Sequence, residues 1–292
     1  MPWHANRKGT SMADGQTSTS RAQRVRARLS AGSWYAALAL IVALGCTILI
    51  VPTFFALATS FNGGETLRFP PQDLSLRWFV ALWTESDDLW EAVSVSFRVS
   101  VLAVSVAAVL ATGAAMYLAR QQSMWARALE TFFQSPMMLP GISLGLATLI
   151  WLQMLGMQLS YWSLVIGHIA ISTPYILRTA LIGLGQIDPS IIDASRSLGA
   201  SQWRTFLRIV LPLAAPAIFA GSFIAFMFSF DNVPVSMFLS DARSEVLPIR
   251  LLHLIESLLD VRAAAVASVL ILFTVVFSLL MERLLGVSRY VR

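Results

Sequence analysis

Apolar residues along this chain fall into long blocks separated by short polar stretches. A helix that crosses a bilayer needs roughly 20 apolar residues at about 1.5 Å of rise each. The first block runs from Trp34 to about Phe61, and the second, Val99 to Ala119, holds no charge between Arg98 and Arg120. Next comes a stretch of 47 residues, Thr131 to Leu177, with no acid, lysine or arginine. As one helix it would be about 70 Å long, twice the hydrocarbon thickness of a bilayer. It therefore predicts a hairpin, with Gly156–Tyr161 (GMQLSY) as the turn. The fifth block is Ile209 to Phe230 and the sixth Ala263 to about Leu285. The pattern predicts an all-α integral membrane protein with six transmembrane helices.

Composition agrees with the pattern. The 292 residues are 57% hydrophobic and only 13% charged, against about 25% charged for a soluble domain, and mean hydropathy is +0.69. The net charge of +5 belongs to topology and not to nucleic acid: of 21 basic residues all but Lys8 are arginines, scattered between the apolar blocks, and basic loops stay in the cytoplasm. With the N-terminus inside, 14 basic residues fall on the cytoplasmic side and five outside (Arg68, Arg77, Arg243, Arg250 and Arg262), which predicts N-in, C-in. The segments expected are a disordered basic cytoplasmic tail (1–33), a first transmembrane helix (34–61), an acidic outer loop (62–92), a transmembrane core (93–286) carrying a cytoplasmic hairpin (186–208), and a cytoplasmic C-terminus (287–292). The tail has almost nothing to bury and suits anionic headgroups. A basic lead and Ala56-Leu57-Ala58 imitate a cleavable signal, but the uncharged core exceeds the usual 7–15 residues. The single cysteine, Cys46, cannot form an internal disulfide, and no Cys/His cluster has zinc spacing.

The most informative polar stretch is DASRSLGASQWRTFLRIVLP, Asp193 to Pro212. Just before it, Asp188 is a good N-cap and Pro189 suits the first helical position. A helix to Leu198 follows, Gly199 can take the left-handed conformation that ends it, and Ser201 can cap a second helix running into the membrane. Helix, glycine turn, helix also describes a DNA-binding motif. A recognition helix needs a free domain behind it, however, and this hairpin is tethered between two spans. Ala194, Ser195 and Ser197 are small enough for a partner to approach the backbone, and Ile191, Ile192 and Leu198 supply an apolar strip. On these residues alone two readings stay open: docking onto a cytoplasmic partner, or packing beneath the chain's own bundle.

The same residues resemble the Glu-Ala-Ala…Gly…Leu-Pro signature of permease subunits of bacterial ABC importers. Asp193-Ala194-Ser195 stands at Glu-Ala-Ala, Gly199 at the glycine, and Leu211-Pro212 at the closing pair. FPPQDLSLRWF (Phe69–Phe79), SPMMLPGISLGLA (Ser135–Ala147) and the run from SFDNVPVSMFLS to EVLPIRLLHLIE are similar to the spermidine/putrescine-type branch. The resemblance implies a type I (MetI-like) permease fold in a bacterial inner membrane, with 62–92 periplasmic. It implies that Asp193, Ala194, Ser195, Arg196, Leu198 and Gly199 couple to an ATPase. The expected partners are a second permease subunit, two ATP-binding subunits, a periplasmic solute-binding protein and membrane lipids, with no nucleic acid. No cofactor is expected on this chain. A P-loop needs a lysine in G-x-x-x-x-G-K-[ST], the only lysine is Lys8, and so ATP is expected on a separate subunit.

Within the spans three features are candidates for the translocation pathway. Asp231-Asn232 closes the uncharged fifth block, and a carboxylate there is a site or simply the first outer-loop residue. Polyamine permeases often carry Asp-Asp at this point and can place an acid where Gly141 stands, so this pathway is less acidic. The phenylalanines 223, 226, 228 and 230 can gate a cation by cation–π attraction or merely pack, with Phe228 and Phe230 taken as pathway candidates. His168, near Ser172, can bond a neighbouring helix or line the route. The solute implied is a polyamine or similar amine. Alternatives are another solute of the superfamily (an opine, phosphonate, amino-acid-like compound or metal) and, from other classes, a stand-alone secondary transporter or an intramembrane enzyme built on His168 and Ser172.

Overall fold

The computed structural model describes residues 14–66, 68–71, 73–121, 123–258 and 261–285, with side chains for those between 34 and 256 and for 261–283. The chain divides into two compact units, residues 1–56 and 57–292. The first is dominated by α1 (Asp14–Thr59). Within Trp34–Thr59 an 18-residue window has a mean hydropathy of 2.5 and none of it is buried, as a helix apolar all round requires when lipid is its solvent. The hydroxyls of Thr47 and Thr53 donate to the carbonyls of Ala43 (2.8 Å) and Leu49 (3.1 Å), so neither is left unpaired in that setting. The expected disordered tail is helical from Asp14 onward. Once the apolar block has nucleated a helix, extension through the Ala/Arg/Gln-rich residues 21–28 adds one backbone bond per residue fixed. Residues 1–13 of that expected tail and the expected C-terminus, 287–292, lie outside the described residues.

The second unit is built on α3 (Asp87–Leu118), α6 (Tyr161–Gly185) and α9 (Leu211–Phe230), which pack on one another. Four alanines spaced by four, Ala103, Ala107, Ala111 and Ala115, are fully buried on α3. They form a ridge of small side chains that lets α6 approach closely, the usual basis of helix association in lipid. At 32 residues α3 starts well before the expected Val99. It is about 48 Å long by helical rise, longer than the hydrocarbon core.

Among the described residues, five helices are long and apolar enough to span a membrane, six when a bent pair is counted as one span. The pair is α4 (Met124–Met138) and α5 (Gly141–Met154), which meet at 110° across Leu139–Pro140. The third span of the expected hairpin is thus broken, because Pro140 offers no N–H and holds Leu139 extended (φ −86°, ψ 141°). The hairpin turn falls where the pattern placed it, around Gly156 with φ +74°. Ser160 and Ser163 then cap α6 reciprocally.

In the outer segment, α2 (Arg77–Thr84) packs on α3 and on α12 (Val261–Leu285) through Leu82, Leu89, Ala265 and Val266. The indole N–H groups of Trp78 and Trp90 donate to the Gly64 (2.9 Å) and Leu82 (2.7 Å) carbonyls. Between α6 and α9 lie α7 (Pro189–Ser197), α8 (Gln202–Thr205) and one π turn (Phe206–Val210) that runs straight into α9. Between α9 and α12 lie the short α10 (Val233–Leu239), seated against α5 and α6, and α11 (Leu247–Leu258).

Candidate functional site

At one end of the bundle α7 and α8 form the expected hairpin. The Asp188 carboxylate accepts the Ser190 N–H at 2.8 Å, and this bond holds the carboxyl below the usual carboxylate range. At the far end, the Gly199 N–H donates to the Arg196 carbonyl (2.9 Å) and the Ala200 N–H to that of Ser195 (3.1 Å). This is a Schellman closure, for which Gly199 takes φ +79°. Ser201 then accepts the Arg204 N–H at 3.3 Å. Across the hairpin the hydroxyls of Ser195 and Thr205 meet at 2.9 Å, both buried. The Ser195 side chain thus faces inward and pins α7 to α8. Asp193, Ala194, Arg196 and Gly199 are exposed, as are Ile191 and, at 89%, Leu198. Trp203, unremarked in the sequence, adds a 73%-exposed ring to this apolar strip. A cavity of about 360 Å³ opens between the hairpin and the ends of α3 and α6, beside Arg120, Asp193 and Arg196.

The other candidates lie at the opposite end of α9. Asp231 ends the helix and is exposed. Phe228 packs its ring 4.9 Å from Tyr175, and the two border a small cavity of about 90 Å³ with Leu139, Gly141 and Asn232. Asn232 is buried, and its Oδ1 accepts the Val235 N–H at 2.9 Å, capping α10. Asn232 thus caps α10 and also borders that cavity. The phenylalanines also separate. Phe230 stacks toward Phe226 (5.8 Å) and into the cluster of Leu82, Leu89 and Val266, while Phe223 and Phe226 face Phe277 of α12 at 5.2 and 6.4 Å. Successive residues of a helix are 100° apart, so a run at 223, 226, 228 and 230 cannot share one face: Phe223, Phe226 and Phe230 lie on one side and Phe228 on the other.

His168 is 1% exposed and so lines no open surface of this chain. Its Nδ1 is 2.7 Å from Ser229 Oγ and its Nε2 3.1 Å from Ser236 Oγ. Both ring nitrogens are taken by Ser229 and Ser236, which leaves none for Ser172, and the His168–Ser172 couple does not form. Tyr175 was legible only as an aromatic following Pro174. Thr205 gave no signal, because its partner lies ten residues back across a turn.

On the outer face Arg250 of α11 pairs with Asp88 at the start of α3 and with Glu245 at 3.5 Å, and Glu245 also meets His253 Nδ1 at 2.7 Å. These part-exposed pairs contribute at most about 1 kcal/mol each, but they fix the loop after α10.

Residues 89–287 match the family described as the binding-protein-dependent transport system inner membrane component. Among curated proteins, the spermidine/putrescine transport system permease protein PotC of Escherichia coli strain K12 is 28% identical over 228 residues, covering 78% of this chain and 86% of that one. The putrescine transport system permease protein PotI of the same strain is 29% identical over 219 residues, covering 71% and 76%. Among solved structures, a bacterial alginate ABC transporter in complex with an alginate pentasaccharide-bound periplasmic protein superposes with a TM-score of 0.66 at 17% identity, over 89% of this chain and 97% of that one. The inward-facing MetNI methionine ABC transporter superposes at 0.55 and 16%, over 71% and 97%.

Proposed function

The chain belongs to the family of binding-protein-dependent inner-membrane permease components of ABC importers, and from that premise we propose that it forms half of a translocation pathway for a polyamine. It is a multi-pass inner-membrane subunit and not an enzyme; ATP hydrolysis lies in separate subunits. The assembly has a second permease subunit, two ATP-binding subunits and an outer solute-binding protein.

The observation that carries the coupling part is the hairpin: a rigid α7–Gly199–α8 knuckle that presents Ile191, Leu198 and Trp203 beside Asp193 and Arg196. An apolar strip flanked by one acid and one base, held at both ends by side-chain caps, is a surface suited to docking in a cleft of the ATPase. Closure of the ATPase dimer around nucleotide moves the knuckle, and α9 carries the displacement to Asp231.

The substrate follows from the relatives and from that outer corner. PotC and PotI are named for spermidine and putrescine. The Asp231 carboxylate and the Phe228–Tyr175 pair offer a primary ammonium charge attraction and aromatic faces. One acid in place of two favours a short diamine over a longer polycation. The test is uptake of labelled putrescine and spermidine by proteoliposomes holding both permease subunits, the ATPase and the binding protein. ATP-dependent putrescine uptake that spermidine competes for is expected. If neither amine is transported or competes, the substrate reading falls.

A further inference from the structure

Four buried hydroxyl and imidazole groups, one from each of four helices, meet at a point the pathway does not use. They are Ser100 (α3), His168 (α6), Ser229 (α9) and Ser236 (α10), each exposed by 1% or less. Ser229 Oγ lies 2.7 Å from the His168 ring and donates to Ser100 Oγ at 3.1 Å, while Ser236 Oγ lies 3.1 Å from the other ring nitrogen. One neutral tautomer satisfies the whole chain. The Ser236 hydroxyl donates to Nε2, Nδ1–H donates to Ser229, and the Ser229 hydroxyl donates to Ser100.

The position of this chain matters more than its polarity. Ser229 precedes Asp231 by two residues and Ser236 follows Asn232 by four, so one ring holds both arms of the α9–α10 corner from inside the bundle. Two neighbours seat α10 on the same stretch of α6. Ser163 Oγ lies 3.1 Å from the Leu239 carbonyl, and Gly167 leaves the space that Leu239 and Val235 fill. A Cβ at Gly167 would overlap Leu239 Cδ1, so the Leu239 side chain would have to shift.

We infer that His168 is a positioning residue for transport, one that fixes the Asp231 carboxylate and the Phe228 ring against the route by clamping the α9–α10 corner to α6 and α3. Leucine fills similar space but bonds to neither serine. Serine hydroxyls in a helix can turn back to the carbonyl four residues earlier, so His168→Leu still folds, with the corner released. The role rests on the permease reading for its transport consequence; the clamp itself does not.

The test joins hydrogen exchange on the reconstituted complex with putrescine uptake, in the wild type, His168→Leu, Ser236→Ala and the double variant. Exchange over residues 229–240 should rise roughly three- to tenfold in His168→Leu, the equivalent of about one ordinary hydrogen bond, with 188–205 unchanged. The KM for uptake should rise by a similar factor, with the stimulated ATPase rate retained. Ser236→Ala should give a smaller shift and add nothing to His168→Leu, since both break one chain. Unchanged exchange over 229–240, additive effects in the double variant, or faster exchange with unaltered KM would each overturn the assignment. If the wild type itself takes up no polyamine, the substrate reading fails, and the exchange and additivity arms still decide the clamp.

Discussion

At the scale of single residues, the hairpin turns on Gly199. Nothing lies within 4 Å of where its Cβ would be, and its φ is +79°. A larger side chain there meets no steric obstacle but a backbone penalty, about 1–2 kcal/mol for an ordinary residue in the left-handed region and less for asparagine. Gly199→Val is expected to deform the knuckle, cutting uptake at least severalfold while membrane insertion and ATP hydrolysis persist; Gly199→Asn should keep most transport. Uptake and hydrolysis measured on the same proteoliposomes decide it, and normal transport by the valine variant would exclude the docking role. Asp188, Gly199 and Ser201 were legible in the sequence because caps and left-handed turns depend on a residue and its immediate neighbours. The internal contact of Ser195 was not legible, for the complementary reason. Small size permits either a partner's approach or a tight internal contact, and only the fold, by bringing Thr205 to 2.9 Å, chooses between them.

Elements were legible where a single period governed them. Spans announced themselves by length and apolarity, and the turn at Gly156 by the excess of apolar residues over one bilayer thickness. Three elements were not. The 110° break at Leu139–Pro140 sits in an unbroken apolar run, where proline signals a kink but not its size. The seven-residue α10 is shorter than any span and gains its helix from Asn232 capping and from α5 and α6 on either side. The π turn Phe206–Val210 has no compositional mark at all. One-turn π bulges inside α-helices are frequent at functional sites, and this one joins the knuckle to the span that ends at Asp231. It absorbs one extra residue, so deletion of the exposed Leu207 should convert it to α-helix and preserve the faces of α8 and α9. The expected outcome is a complex that assembles and hydrolyses ATP with uptake reduced severalfold, because the flexible joint is now a stiff one. Wild-type uptake in the deletion variant would show that the joint has no mechanical part.

For the whole molecule, the helical frame and the distribution of charge must agree on one orientation. The α3–α6–α9 core places the hairpin at one end and the Asp231 corner at the other, and the basic residues divide 14 to five in favour of the hairpin end facing the cytoplasm. Acidic residues crowd the opposite face, where Asp88 and Glu245 hold Arg250. Electrostatic sorting of loops during insertion acts on short segments near span ends, and all three arginines of the 186–208 segment, Arg196, Arg204 and Arg208, lie within such a segment. Because Cys46 is the only cysteine, Cys46→Ser gives a background in which single cysteines report their side of the membrane. In spheroplasts without the ATPase subunit, which would otherwise cover the hairpin, Ala242→Cys should react with a membrane-impermeant maleimide at once. Ala194→Cys should react only after the membrane is opened. Both positions are exposed in the fold, so failure to label reports sidedness and not burial. The reverse pattern would put the knuckle on the face away from cytoplasmic ATP, where no nucleotide-driven partner can reach it.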